Sequence, residues 1–187
     1  MSRLNEGRVV VITGAGGGIG REHALLFAET GAKIVVNDLG GDMDGTGAPS
    51  TGPALAVVDE IKALGGEAVA NGDDVSDWDG AGRLINTAIE QFGRIDVLVN
   101  NAGILRDRML VNMSIDEWDA VIKVHLRGTF CPTRHAVDFW RAQSKEGKDN
   151  DARIINTTSS SGIYGNVGQA NYGAAKMGIA GLTIIAA

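Results

Sequence analysis

The sequence predicts an α/β fold, a doubly wound parallel sheet covered by helices on both faces. Two observations carry that expectation. Short apolar runs alternate with helical-period stretches of ten or more residues along the whole chain, the pattern of βαβ units. The first apolar run also ends in a glycine-rich turn that opens a helix, the connection such sheets use at their ligand crevice.

Val9–Ile12 is a continuous apolar run ending in Thr13-Gly14, as expected of a strand buried on both faces. Ile19–Thr30 places Ala24, Leu25 and Ala28 at helical spacing and stops at Gly31, a residue suited to a C-cap. Lys33–Asn37 is a second strand, closed by Asp38. Residues 39–53, rich in Gly with Asp, Ser, Thr and Pro, form a long irregular loop. Ala54–Leu64 is an amphipathic helix before Gly65-Gly66, and Glu67–Asn71 is a third strand. Trp78–Phe92 returns to helical period up to Gly93, and Ile95–Asn100 is a fourth strand. Ser114 starts a long helix running to Ala142, with Glu117 at the capping-box position. A charged turn over Lys145–Asp151 leads to a fifth strand, Arg153–Thr158, and Asn171 opens a final helix. That helix ends in G-I-A-G-L-T-I-I-A-A with no polar stop, which reads as a fold truncated at its C-terminal end. The expectation is one dinucleotide-binding domain over residues 1–187, without its C-terminal strands and substrate loop.

Bulk properties narrow the function classes. The 187 residues, 44% hydrophobic and 21% charged, suffice for one domain with a core. A net charge of −6 without a basic cluster argues against nucleic-acid binding. The single cysteine, Cys131, excludes an intrachain disulfide, and His23 and His135 lack partners at ligand spacing, so no metal is expected. The N-terminal M-S-R-L-N-E-G-R is polar, unlike a secretory signal, and no apolar run approaches the ~18–20 residues that span a bilayer. The chain reads as cytoplasmic, with no membrane segment.

Thr13–Gly20, T-G-A-G-G-G-I-G, lies between a strand and a helix. Gly14, Gly17, Gly18 and Gly20 permit close backbone approach to a pyrophosphate, and the helix start at Ile19 offers unpaired N–H groups to it. Glycines alone fit a plain βα turn equally well. Asp38 decides between the two: it ends the second strand 24 residues beyond Gly14, where a carboxylate can accept both adenosine ribose hydroxyls. A carboxylate there repels a 2′-phosphate, so the expected cofactor is NAD in preference to NADP. Asp74 and Val75 follow the third strand, where they either meet the adenine or close a turn. Asn101, Ala102 and Gly103 follow the fourth strand; they either leave room for cofactor or tie strands together.

Tyr172 and Lys176 stand four apart on the final helix, so their side chains share a face. Tyrosine titrates near ~10 and lysine near ~10.4 in water, but an adjacent ammonium favours the phenolate. Ser159 lies 13 residues before Tyr172 and can hold a substrate oxygen.

Together these motifs resemble the short-chain dehydrogenase/reductase family over nearly the whole chain. Thr13–Gly20 is similar to its cofactor loop, Asn100–Gly103 to its N-N-A-G motif, and Tyr172/Lys176 to its Y-x-x-x-K pair. Ser159 stands at the spacing of its serine. The segments V-N-D-L-G-G-D, N-N-A-G-I-L-R-D-R, V-H-L-R-G-T-F and S-G-I-Y-G-N-V-G-Q-A-N-Y resemble a subgroup in particular. It is the (3R)-hydroxyacyl-CoA dehydrogenase part of peroxisomal multifunctional enzyme type 2, with its bacterial stand-alone relatives. The resemblance implies a Rossmann-like fold and hydride transfer between a secondary alcohol, such as a 3-hydroxyacyl thioester, and NAD. It implies Tyr172 as general base, Ser159 on the substrate oxygen, and Lys176 on the nicotinamide ribose. It further implies a small-molecule substrate, an acyl-CoA among them, and a homotetramer or homodimer. Where many members carry an asparagine in the long helix, this chain has His125, either a proton relay or a packed side chain. Arg106 and Arg108 are either charges for an anionic substrate or members of surface ion pairs.

Overall fold

The computed structural model describes residues 3–187, so Met1 and Ser2 of the polar N-terminal run lie outside the described residues. Five strands form one parallel sheet in the order β3-β2-β1-β4-β5. They are β1 (Val9–Thr13), β2 (Lys33–Asn37), β3 (Glu67–Asn71), β4 (Val97–Asn100) and β5 (Arg153–Asn156). The helices are α1 (Gly18–Glu29), α2 (Gly52–Ala63), α3 (Trp78–Phe92), α4 (Ile115–Ile122), α5 (Gly128–Lys145), α6 (Ser160–Tyr164) and α7 (Ala170–Ala186). The predicted doubly wound α/β fold is what forms.

Strand β1 is central and buried at every position, which is why it reads as an unbroken apolar run. Its side chains alternate between two cores. Val10 and Ile12 pack with Val36, Ala24 of α1 and Val57, Val58 and Ile61 of α2. Val9 and Val11 pack on the other face with Leu84 and Ile85 of α3 and Ala136 and Trp140 of α5. Trp140 Nε1 donates to the Ile95 carbonyl at 2.7 Å, so its one polar atom is paired inside that core.

The order reverses at β1. Chain direction runs outward through β2 and β3, returns to β4 beside β1, and continues to β5. The connections after β1 and β4 therefore diverge and open a crevice at their carboxyl ends.

The long helix predicted from Ser114 to Ala142 requires correction. The capping box forms as expected, Ser114 Oγ accepting from Glu117 N–H while Glu117 accepts from Ser114 N–H. The helix is continuous but not uniformly α: it passes through a π-helical turn over Lys123–Arg127, and α5 runs on to Lys145. His125 sits within that turn and is buried. Helix α2 begins at Gly52 rather than Ala54, so the irregular loop ends at Thr51. A short 3-10 turn at Leu110–Asn112 and helix α6 lie in segments to which the sequence assigned no element. Among the described residues, no helix is long and apolar enough to cross a membrane.

Candidate functional site

Thr13 and the glycines build the crevice floor. Thr13 Oγ1 accepts from the N–H groups of Asn101 and Ala102, each at 3.0 Å, which joins the ends of β1 and β4. Asn101 Nδ2 returns two bonds to the carbonyls of Thr13 and Gly14, both at 3.0 Å. Gly14 has φ +62° and a Cβ there would lie 2.7 Å from Ala102 Cα. A Cβ on Gly20 would come within 2.1 Å of the Gly14 carbonyl oxygen. Both glycines are therefore required by backbone contact. By contrast, Cβ positions at Gly17 and Gly18 face open space. Helix α1 begins there with Gly17 at its N-cap, without a side-chain cap and without an acidic residue in its first turn. This is a cradle whose free side matches an anion.

Asp38 closes one end of the cradle. Its Oδ2 accepts from Gly16 N–H and its Oδ1 from Gly40 N–H, both at 2.8 Å. A carboxylate has about four lone-pair directions, so two backbone bonds leave capacity for hydroxyl donors. The loop after Asp38 crosses toward β4. Leu105 N–H donates to the Met43 carbonyl at 2.9 Å, and Arg106 Nε to the Asp44 carbonyl at 2.7 Å. Arg106 is thus a tether for this loop, and Arg108 pairs with Glu117 at 2.8 Å. Arg108 therefore stands in a surface ion pair, whereas Arg106 meets a backbone carbonyl.

Asp74 and Val75 are placed as turn and core residues. Asp74 Oδ1 accepts from Ser76 N–H at 2.8 Å and from Ser76 Oγ at 2.6 Å. Val75 is buried and packs with the α3–α5 core. Asn100 ties β4 to β5 and α5, with Nδ2 donating to Asn156 Oδ1 at 2.8 Å and Thr133 Oγ1 at 3.0 Å.

At the other end of the crevice, α6 and α7 bring together the remaining residues. Ser159 caps α6, its Oγ accepting from Ser161 N–H at 3.1 Å. Gly162 lets α6 lie directly on α7, since a Cβ there would be 2.8 Å from Met177 N and 3.1 Å from Lys176 Cβ. The Tyr172 ring meets the His125 ring edge-on, with centroids 5.2 Å apart. Lys176 is 3% exposed, lies with Nζ 5.6 Å from the Tyr172 ring centroid, and donates to the Thr157 carbonyl at 2.6 Å. Burial pushes its ammonium down to about 8.

His125 is packed rather than solvated. Its Nε2 sits 2.8 Å from the Ile104 carbonyl and 3.1 Å from Ile104 N–H, while Nδ1 is buried without a partner. Burial holds it down to about 4, with Lys176 nearby acting in the same direction. At neutral pH the imidazole is uncharged and pins the loop after β4. Of the two expectations for His125, the packing contacts are the ones on view: the ring lies edge-on to Tyr172 and its Nε2 faces Ile104. Gly103 is obliged by the same packing: a Cβ would fall 2.3 Å from His125 Cε1.

Sequence spacing does not single out Thr13, Ile104, Thr157 or Asn171, although all four hold the site together. The legible signal for two of them was position alone, a polar residue ending β1 and an asparagine adjoining Tyr172.

The model of the short chain dehydrogenase family matches residues 8–187. The chain belongs to the short-chain dehydrogenase family. Among relatives, a peroxisomal multifunctional enzyme type 2 of Drosophila melanogaster is 57% identical over 177 residues, covering 95% of this chain and 28% of that protein. A hydroxyacyl-CoA dehydrogenase of Mycobacterium tuberculosis is 49% identical, covering 97% of this chain and 56% of its own length. The crystal structure of a short chain dehydrogenase from Mycobacterium avium superposes with a TM-score of 0.92 at 60% identity, over 97% of this chain and 62% of that one. This short-chain dehydrogenase chain thus spans between about a quarter and two thirds of the length of these relatives.

Proposed function

We propose that the protein is an NAD-dependent oxidoreductase acting on a secondary alcohol, with 3-hydroxyacyl thioesters as the substrate class. The observation that carries this reading is the buried Lys176 beside Tyr172, at one end of a crevice whose other end is the glycine cradle and Asp38. The names of two relatives, a multifunctional enzyme type 2 and a hydroxyacyl-CoA dehydrogenase, support the substrate class.

NAD, when bound, supplies the hydride acceptor. Gly14, Gly17, Gly18, Ile19 and Gly20 would hold its pyrophosphate, and Asp38 its adenosine ribose. The free lone pairs of Asp38 suit hydroxyl donors and oppose a 2′-phosphate, which supports NAD over NADP. Asn101, Ala102 and Gly103 would border the nicotinamide end, and Asp74 together with the backbone of Val75, whose side chain is buried in the core, would border the adenine.

Tyr172 takes the alcohol proton as the carbonyl forms. Ser159 Oγ donates to that oxygen and keeps it oriented. Lys176 contributes positive charge near the phenol and a donor for a ribose hydroxyl. General base catalysis of this kind is worth roughly 10²–10⁴-fold. Self-association through α5, where Phe130 and Val137 are exposed, belongs to the same proposal.

One experiment tests it. Wild type and Tyr172→Phe are assayed for acetoacetyl-CoA reduction, and NADH and NADPH are titrated by fluorescence. Expected are turnover lost by about 10²-fold or more in Tyr172→Phe, unchanged NADH binding, and weaker NADPH binding. Retained turnover in the phenylalanine variant refutes the assignment.

A further inference from the structure

Asn171, immediately before Tyr172, is a buried polar residue that the proposed chemistry does not use. It is 0% exposed. Its Nδ2 donates to the Arg106 carbonyl in the loop after β4 and to the Glu117 carbonyl on α4, each at 3.0 Å. Its Oδ1 accepts from the Tyr172 N–H at 2.8 Å. Carbonyls only accept and the backbone amide only donates, so the three partners fix which way the side-chain amide points. They also fix the residue type. Aspartate lacks both donors, serine has one, and glutamine adds a methylene where no surface is free.

The same loop is held from the other side. Ile104 is pinned by His125 Nε2, and the His125 ring packs edge-on against Tyr172. Arg108 N–H donates to the Gly168 carbonyl at 2.8 Å, tying the loop to the segment that leads into α7. The Tyr172 backbone and the Tyr172 ring are therefore both referenced to residues 104–108, one through Asn171 and the other through His125.

We propose that Asn171 is a positioning residue for Tyr172: it locks the first turn of α7 to the loop after β4 and to α4, and so sets where the tyrosine hydroxyl stands. This rests on the reading of Tyr172 as the acid–base group. Misplacement of a reacting group by about 1 Å costs on the order of 10²-fold in rate, so a lock made of three bonds acts on turnover more than on binding.

The test compares Asn171→Ala, Asn171→Ser and Tyr172→Phe with wild type in the purified protein, using acetoacetyl-CoA and NADH. Asn171→Ser buries no charge and retains one donor while losing the second carbonyl bond, so it carries the test if Asn171→Ala does not fold. Expected for the Asn171 variants is a kcat lowered about 10- to 100-fold, with KM and NADH affinity within about threefold of wild type. The primary deuterium isotope effect on kcat, measured with 4-deuterated NADH, should rise as the chemical step becomes limiting. An unchanged kcat overturns the inference. So does a kcat that falls in parallel with NADH affinity and folded fraction while the isotope effect stays put, the pattern of a purely structural residue. Turnover by Tyr172→Phe overturns the underlying reading instead, and a dead Tyr172→Phe beside fully active Asn171 variants overturns only the positioning role.

Discussion

Lys176→Met should separate the stability of this site from its chemistry. The wild-type ammonium is 3% exposed, and burial lowers it from an ordinary 10.5 to about 8. At about 1.4 kcal/mol per pH unit, holding that charge inside the folded chain costs about 3 kcal/mol at neutral pH. Methionine keeps similar bulk without charge, but it forfeits the bond from Nζ to the Thr157 carbonyl. A hydrogen bond from a charged donor is worth about 1.5–3 kcal/mol, so at pH 7 the variant should match wild type or exceed it by about 1 kcal/mol. The sign of the pH dependence is the sharper result. Below pH 8 the folded and unfolded wild-type chains both hold the proton, and the penalty is complete. Between 8 and 10.5 the unfolded chain keeps a proton that the folded chain has released, so wild-type stability rises with pH while the variant lacks this contribution. The variant-minus-wild-type difference should fall by about 3 kcal/mol across that window. Guanidinium unfolding followed by tryptophan fluorescence at several pH values measures it. A difference that stays flat from pH 7 to 10, or a variant less stable by more than about 3 kcal/mol at pH 7, would show that the lysine is not desolvated as described.

Two further perturbations address the residues beneath Tyr172. The His125 imidazole is held down to about 4 against an ordinary 6.5. Between those values the unfolded chain takes up a proton that the folded chain refuses, so stability should fall on acidification by up to about 3 kcal/mol. His125→Asn should flatten that window in unfolding experiments, and an unchanged acid limb counts against the assignment. Gly103→Ala, with its Cβ 2.3 Å from His125 Cε1, should lower stability by about 1–3 kcal/mol, whereas Gly17→Ala, facing open space, should change it far less. Equal melting shifts for the two variants would contradict the packing argument.

The order of strands and helices was legible because the central strands β1, β2 and β4 are buried on both faces and therefore continuous apolar runs in sequence, while helices of clear period separate them from the partly exposed edge strands. The ends were less so, for reasons that involve distant residues. Ile95 looks like strand from its apolar neighbours, but its carbonyl serves Trp140 Nε1. Thr157 continues the β5 run in sequence, yet its carbonyl turns to Lys176 Nζ. The π turn could not be anticipated from a 3.6-residue period, and the contact made by its His125 reaches Ile104, 21 residues away. The five-residue α6 is too short for any periodic signal and exists by the Ser159 cap and the Gly162 contact with α7. Candidate residues were readable where backbone contact or helical spacing constrains residue type within one segment, as at Gly14, Gly20 and the Tyr172/Lys176 pair. The bonds by which Thr13 and Asn171 bridge segments depend on residues distant in sequence and leave no local trace.

One bridging pattern does have a common physical cause. Thr13, Asn37 and Asn71 are aligned across β1, β2 and β3, and Asn100 and Asn156 across β4 and β5. Asn37 Nδ2 donates to Asn71 Oδ1 and Asn100 Nδ2 to Asn156 Oδ1, each at 2.8 Å. These side chains terminate the apolar sheet at one level, where the strands open into the crevice. A slip of one residue between neighbouring strands would move an asparagine to the wrong face and break its lateral bond, so each pair fixes register. Register in turn decides where Asp38, Asn101 and Thr157 emerge, one residue beyond the row on three different strands. The polar row therefore sets at one height the Asp38 carboxylate that holds Gly16, the Asn101 amide that holds Thr13 and Gly14, and the carbonyl that receives Lys176.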